Sequence, residues 1–240
     1  SDEQRDAFVA RTRSDYEQLR RQHAERDDRT AMITIDQARA NGVPIDPVAA
    51  PAPSFLGARA LELDIGALAE VIDWTPFFTA WVVPGHYPEV LSDAVRGPAA
   101  RGLWDDAQRM LERVVRERLL GGRAAVGFWA AGSTDDDDIV LWADPERSTE
   151  VGRLHTLRQQ MAKRDGRPNV ALADYVAPLS SGVADFVGAF AVTTGIGLDE
   201  AKGRYEAAGD DYSAILLTSL ADRLAEAAAE WLHREVRRSL

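Results

Sequence analysis

The 240-residue chain contains no cysteine, which excludes disulfides, thiolate metal sites and cysteine nucleophiles. It has no apolar run approaching the ~20 residues that span a bilayer. Its first residues, S-D-E-Q-R-D-A-F, are charged and lack the apolar stretch of a signal peptide, so a cytoplasmic location is expected. Bases are in short supply: 28 Lys and Arg stand against 39 Asp and Glu, a net charge of −11. Such a chain repels phosphate backbones unless its bases gather on one face. The clusters present, such as Arg234, Arg237 and Arg238, are short and lie among acids. Neither nucleic acid nor a membrane is an expected partner. A cationic small molecule or a basic protein surface suits the charge better.

Recognisable catalytic arrangements are also missing. The four histidines, His23, His86, His155 and His233, are far apart, and none belongs to an H-x-x-x-H pair, so zinc is not expected. The acids Asp135 to Asp138 lack the alternating ligands, glycine and distal Glu of a calcium loop, and read as a solvated hairpin tip. Thr194-Gly195-Ile196-Gly197 lacks the third glycine of a dinucleotide-binding turn, and Asp199 and Glu200 follow it, so it reads as a tight turn before a helix. Ser180 and Ser181 have no G-x-S-x-G setting. No catalytic or metal-ligating residue is predicted.

What is present is an ordinary globular composition, 45% hydrophobic and 28% charged. Residues 4 to 28 read as a polar connector helix with a narrow stripe of Phe8, Val9, Thr12, Tyr16 and Leu19. Thr34 to Gln37 has the form of a capping box opening a short helix that Gly42 ends. Pro44, Pro47, Pro51 and Pro53 then mark an extended crossing segment up to residue 57. The compact domain is expected over 58–240. Within it, 59–63, 79–83, 124–131, 139–143, 170–176 and 186–193 read as strands. Helices are expected at 65–72 behind an Asp64 cap, at 99–119, from Ser148 through Met161, and over the last 30 residues. Strands adjacent to strands with long helices at the end predict an α+β fold with a largely antiparallel sheet.

One stretch concentrates unusual chemistry. Residues 72–78 read I-D-W-T-P-F-F, and T-A-W follows. Asp73 reads either as a cap on a backbone turn beside core aromatics or as a carboxylate facing a cationic ligand across an aromatic wall. The residues alone leave both readings open.

I-D-W-T-P-F-F-T-A-W resembles the signature of the activation domain of cobalamin-dependent methionine synthase. L-R-Q-Q at 157–160, L-A-D-Y-V-A-P at 172–178 and D-F-V-G-A-F-A-V-T at 185–193 are similar to that domain in the same order. So is D-D-Y-S-A-I-L-L-T-S-L-A-D-R-L-A-E-A-A-A-E-W-L-H at 210–233, and R-D-A-F-V-A-R-T-R-S-D-Y-E resembles the segment leading from the preceding cobalamin-binding domain. The resemblance implies a module that binds S-adenosylmethionine and presents it for reductive remethylation of inactive cob(II)alamin. The cobalamin would be held by the neighbouring domain, and the electron would come from flavodoxin or a flavoprotein reductase. It implies Asp73 and Glu226 as the ligand-binding residues. It also implies part of a methyltransferase that has no turnover alone. The family continues with an R-P-A-x-G-Y-P stretch and a later Tyr, so a chain ending V-R-R-S-L is expected to lack that C-terminal segment; Arg167-Pro168-Asn169 is no substitute. The alternative is an interaction module that docks on the cobalamin domain and the electron donor without binding ligand.

Overall fold

Helix α5 (Gly97–Glu117) shows how the pattern becomes structure. Leu103, Ala107, Met110, Leu111 and Val114 recur at three- and four-residue steps, and all are buried. Pro98 sits in the first turn, where its missing N–H breaks no helical bond. Arg118, left-handed at φ 53°, closes the helix.

The structure is a computed structural model and describes residues 2–27, 31–44, 46, 48–163 and 166–239. The backbone forms two compact units, residues 52–129 with 187–240 and residues 1–51 with 130–186. Strand β2 (Gly121–Ser133) contributes to both.

In the first unit, β1 (Gly57–Leu63) pairs antiparallel with β2, from Gly57 opposite Phe128 to Leu63 opposite Gly122. Strand β5 (Asp185–Ile196) also pairs with β2. Gly121 lies beside Ile196 and Gly188 beside Phe128, so these two strands run in opposite directions. Around them stand α3 (Ile65–Ala69), α4 (Thr75–Ala80), α5, α6 (Leu198–Ala207) and α7 (Asp211–Ser239). Their inward faces make one core that includes Leu68, Phe77, Phe78, Val114, Leu217, Leu220, Leu224 and Leu232. Each such side chain contributes about 1.5–3 kcal/mol on leaving water. Asp64 caps α3 as expected, its Oδ1 accepting the Gly66 N–H at 2.8 Å. The tight turn before α6 is confirmed as well. Gly197 has φ 90°, and a Cβ there would lie 2.8 Å from the Leu119 carbonyl oxygen.

In the second unit, the end of β2 pairs with β3 (Asp138–Trp142), and β3 with β4 (Glu150–His155), all antiparallel. Helix α2 (Ile35–Ala40) has the full capping box: Thr34 Oγ1 accepts the Gln37 N–H at 3.2 Å, and Gln37 Oε1 accepts the Thr34 N–H at 3.0 Å. Helix α1 (Asp2–Asp27) leaves its sparse stripe open, with Phe8, Tyr16 and Leu19 all exposed. The described residues of the proline-rich segment before Gly57 form no helix or strand; Pro47 lies outside the described residues. Among the described residues no helix is long and apolar enough to cross a membrane.

Three predicted elements are corrected. Residues 79–83 are not a strand: Thr79 and Ala80 end α4, and Trp81 caps it. Pro76 lies in the first turn of that helix, where proline is tolerated. The segment after Ser148 is not a helix. Val151 and Leu154, at helical spacing, lie on β4, where pairing with β3 overrides a weak local pattern. Residues 170–176 contain a short 3-10 turn, Leu172–Tyr175, in place of a strand.

Candidate functional site

The backbone around D-W-T-P-F-F is shaped by what flanks it. Ile72 and Trp74 are buried, so Asp73 between them is turned outward and exposed. Its Oδ1 accepts the Thr75 N–H at 3.0 Å, satisfying a donor that the start of α4 leaves without a helical partner. The Thr75 hydroxyl accepts the Tyr87 N–H at 3.2 Å, which ties the turn to a second segment. The aromatic side chains form a continuous packed group. Trp74 meets Phe77 edge-on at 5.4 Å and Trp104 at 4.7 Å, while Tyr87 stacks on Trp104 at 4.9 Å. Phe77 and Phe78 are almost fully buried.

Both readings of Asp73 are therefore compatible. One carboxylate oxygen caps the turn; Oδ2 has no partner among the described residues. A carboxylate held by its own backbone is a preorganised counter-charge for a cation.

Glu226 occupies an exposed position on α7 between the buried Leu224 and Ala227. It makes no hydrogen bond or ion pair among the described residues. Glu230, His233 and Arg237 follow on the same helix face, by the period of 3.6 residues. Helices α4 and α7 pack together in one unit, with Trp81 edge-on to Tyr212 at 5.5 Å. Asp73 precedes α4 and Glu226 lies on α7, so both predicted carboxylates belong to one unit. No bond joins them directly.

Neither carboxylate lines the cleft of about 740 Å³ that lies among Asp64, Glu117, Gly121, Gly197 and Arg204. The acids of that cleft are already engaged. Glu117 holds Arg113 at 2.9 Å, Glu200 holds Arg204 at 2.6 Å, and Asp64 caps α3.

The second unit contains an ionic centre that sequence reasoning missed. Arg158, of the L-R-Q-Q stretch, is 6% exposed and donates to Asp137 Oδ1 (Nε, 2.9 Å) and to Asp174 Oδ2 (Nη1, 3.0 Å). Its Nη1 also donates to the Asn169 carbonyl at 2.7 Å. Arg39 Nε reaches Asp137 Oδ2 at 3.0 Å from α2. Burial alone pushes the Asp137 and Asp174 carboxyls up, but hydrogen bonds from the arginines outweigh it and hold both below the ordinary value. The expectation of a wholly solvated tip at 135–138 is thus corrected. Asp135 and Asp136 are exposed, but Asp137 is buried and Asp138 pairs with His155 at 2.9 Å. Four adjacent acids look alike in sequence; only the distant arginines distinguish them. Asn169, beside Arg167 and Pro168, is fully buried and structural, its Nδ2 donating to the carbonyls of Gln159 and Met161.

Residues 64–240 match the model for the activation domain of vitamin B12-dependent methionine synthase. The chain belongs to this family. A solved structure described as the MetH reactivation domain bound to AdoHcy is similar at 42% identity and a TM-score of 0.83. The similarity covers 88% of this chain and 65% of that one, so the chain spans just under two thirds of the solved relative. The expected family and the mixed helical and antiparallel fold are both borne out. Asp73 and Glu226 both fall within the stretch matched to the activation-domain model.

Proposed function

We propose that this activation domain binds S-adenosylmethionine through Asp73 and Glu226 and presents its methyl group for reactivation of methionine synthase. One observation carries the reading. Asp73 is locked by its cap bond beside a packed aromatic group, yet keeps a carboxylate oxygen unengaged. A sulfonium is a soft cation with no hydrogen to donate, so it is recognised by charge, which the outward Asp73 carboxylate supplies. The AdoHcy bound by the solved relative is chemically the demethylated form of that donor, which supports the ligand class.

The chain's part is positioning. Holding the donor against a carboxylate fixes where its methyl carbon points and removes the orientational entropy of a bimolecular encounter. The methyl group leaves as a cation equivalent, the sulfonium becomes a neutral thioether, and the attraction to Asp73 and Glu226 falls, which favours product release. The acceptor is the cobalamin of a neighbouring domain, whose reduced cobalt supplies the nucleophile when bound. Flavodoxin or a flavoprotein reductase would supply the electron that reductive remethylation requires. Turnover on this reading belongs to the assembled methyltransferase, and this chain's part in it is positioning the donor.

Calorimetry with S-adenosylmethionine tests the reading. Saturable heat is expected, diminished by Glu226→Gln. No heat from this chain or from one extended to the full length of its solved relative would leave docking on the cobalamin domain and electron donor as the function.

A further inference from the structure

Helices α3 and α5 pack together in the first unit, and the residues along their seam are unequal in size. From α3 come Gly66, Ala69 and the C-cap Glu70, spaced at helical steps. From α5 come Gln108, Glu112 and Val115, also at helical steps. The small residues keep the α3 wall low: a Cβ on Gly66 would lie 3.7 Å from Val115 Cγ1. Between the helices runs a trough of about 580 Å³. Leu111 is buried in its floor, whereas Val115 at its side is 43% exposed. Neither Asp73 nor Glu226 lines it.

The rim of this trough is acidic. Glu70 and Glu112 are exposed and make no hydrogen bond or ion pair among the described residues. Asp105, exposed and equally unpaired among them, precedes Gln108 by one turn of α5. Arg116 also lines the trough, but Glu117 holds it at 3.1 Å. Carboxylates that no neighbouring base offsets attract a cationic surface. Gln108 buries its Nε2 with no acceptor among the described residues, which is a costly arrangement. A rotation of that side chain would give the amide to a carbonyl brought into the trough. From Gln108 to Arg116 the helix rises about 12 Å, the length of roughly two helical turns. A helix laid along this seam places apolar side chains over Leu111 and Val115 and its flanks beside Glu70 and Glu112.

We infer that the trough between α3 and α5 docks a basic amphipathic helix of a partner protein. Its apolar face covers Leu111 and Val115, and its Lys or Arg side chains meet Glu70 and Glu112. The inference is independent of the donor site.

The test uses a synthetic helix with Leu at i, i+3, i+4 and i+7 and Lys elsewhere, titrated into the whole chain and followed by backbone NMR. Saturable binding is expected, with the largest shifts at α3 and α5 amides; the same helix with Glu for Lys should not bind. Val115→Gln leaves the net charge alone and should weaken the Lys helix about tenfold. Glu70→Gln with Glu112→Gln should also weaken it about tenfold and flatten its salt dependence. Asp15→Asn with Glu17→Gln removes equal charge from α1 and should change nothing. The shift map comes from the unsubstituted chain and holds whether or not the variants fold. The proposal is overturned by no saturable binding, by shifts that miss α3 and α5, or by equal binding of the Glu helix. Equal losses from the two charge pairs, with none from Val115→Gln, also overturn it. So does a dimer of the chain alone that Val115→Gln dissociates, since the occupant would then be a second copy.

Discussion

Replacing Arg158 by leucine removes the centre of an ion-pair network while keeping an apolar stem in place. The guanidinium is 6% exposed and lies between Asp137, also 6%, and Asp174, 10%. Breaking a buried pair by deleting one partner typically costs about 3–5 kcal/mol, because the remaining charge is stranded in a poor solvent. Two features place this case near the lower figure. Asp137 keeps Arg39 at 3.0 Å, and Asp174 keeps the Ala171 N–H at 3.0 Å. A loss of about 3 kcal/mol is therefore expected, a large share of the roughly 5–15 kcal/mol that holds a typical domain together. Arg158→Lys should lose less but not nothing, since one ammonium cannot reproduce the fork that spans two carboxylates. Adding Asp137→Asn and Asp174→Asn to Arg158→Leu should recover much of the loss, as stranded charge and not lost packing is the cause. Urea unfolding measures the totals, and hydrogen exchange of the β3 and β4 amides reads the unit directly. A loss below about 1 kcal/mol for Arg158→Leu, or no recovery in the triple variant, refutes the account.

Acid should destabilise this same unit. The folded Asp137 and Asp174 carboxyls lie below the unfolded value of roughly 3.9, so their contribution is fully present above about pH 4 and is lost as pH falls through the folded values. Melting temperatures from pH 7 to 2 should drop steeply below pH 4 and less steeply in Arg158→Leu; equal slopes contradict the linkage. At the candidate site, Asp73→Asn should leave stability within about 0.5 kcal/mol, because Asn also caps, while Asp73→Ala should cost about 1 kcal/mol. Both should weaken S-adenosylmethionine about tenfold by calorimetry, equivalent to roughly 1.4 kcal/mol. Unchanged affinity in Asp73→Asn reduces Asp73 to a cap.

Local signals carried the elements that are long or sharply punctuated. Helix α5 was legible because five buried side chains, Leu103 to Val114, keep helical step without a break. The α2 capping box and the Asp64 cap were legible because their bonds span three residues or fewer. Short segments misled for the converse reason. A five-residue apolar run at 79–83 fits a strand or a helix equally, and the neighbouring Pro76 decides it only once the preceding turn is in place.

The site divides along the same line. Sequence by itself determined that an acid sits in an aromatic turn and that Asp73 can cap that turn, since its bond reaches only to Thr75. The order of motifs supplied the family. Tertiary structure alone decided that Ile72 and Trp74 go inward and leave Asp73 outward, and that Asp137 is buried on Arg39 and Arg158 while Asp135 and Asp136 are not. Those contacts join residues as far as 98 positions apart. No local pattern encodes them, because burial and charge pairing are properties of what the folded chain brings alongside.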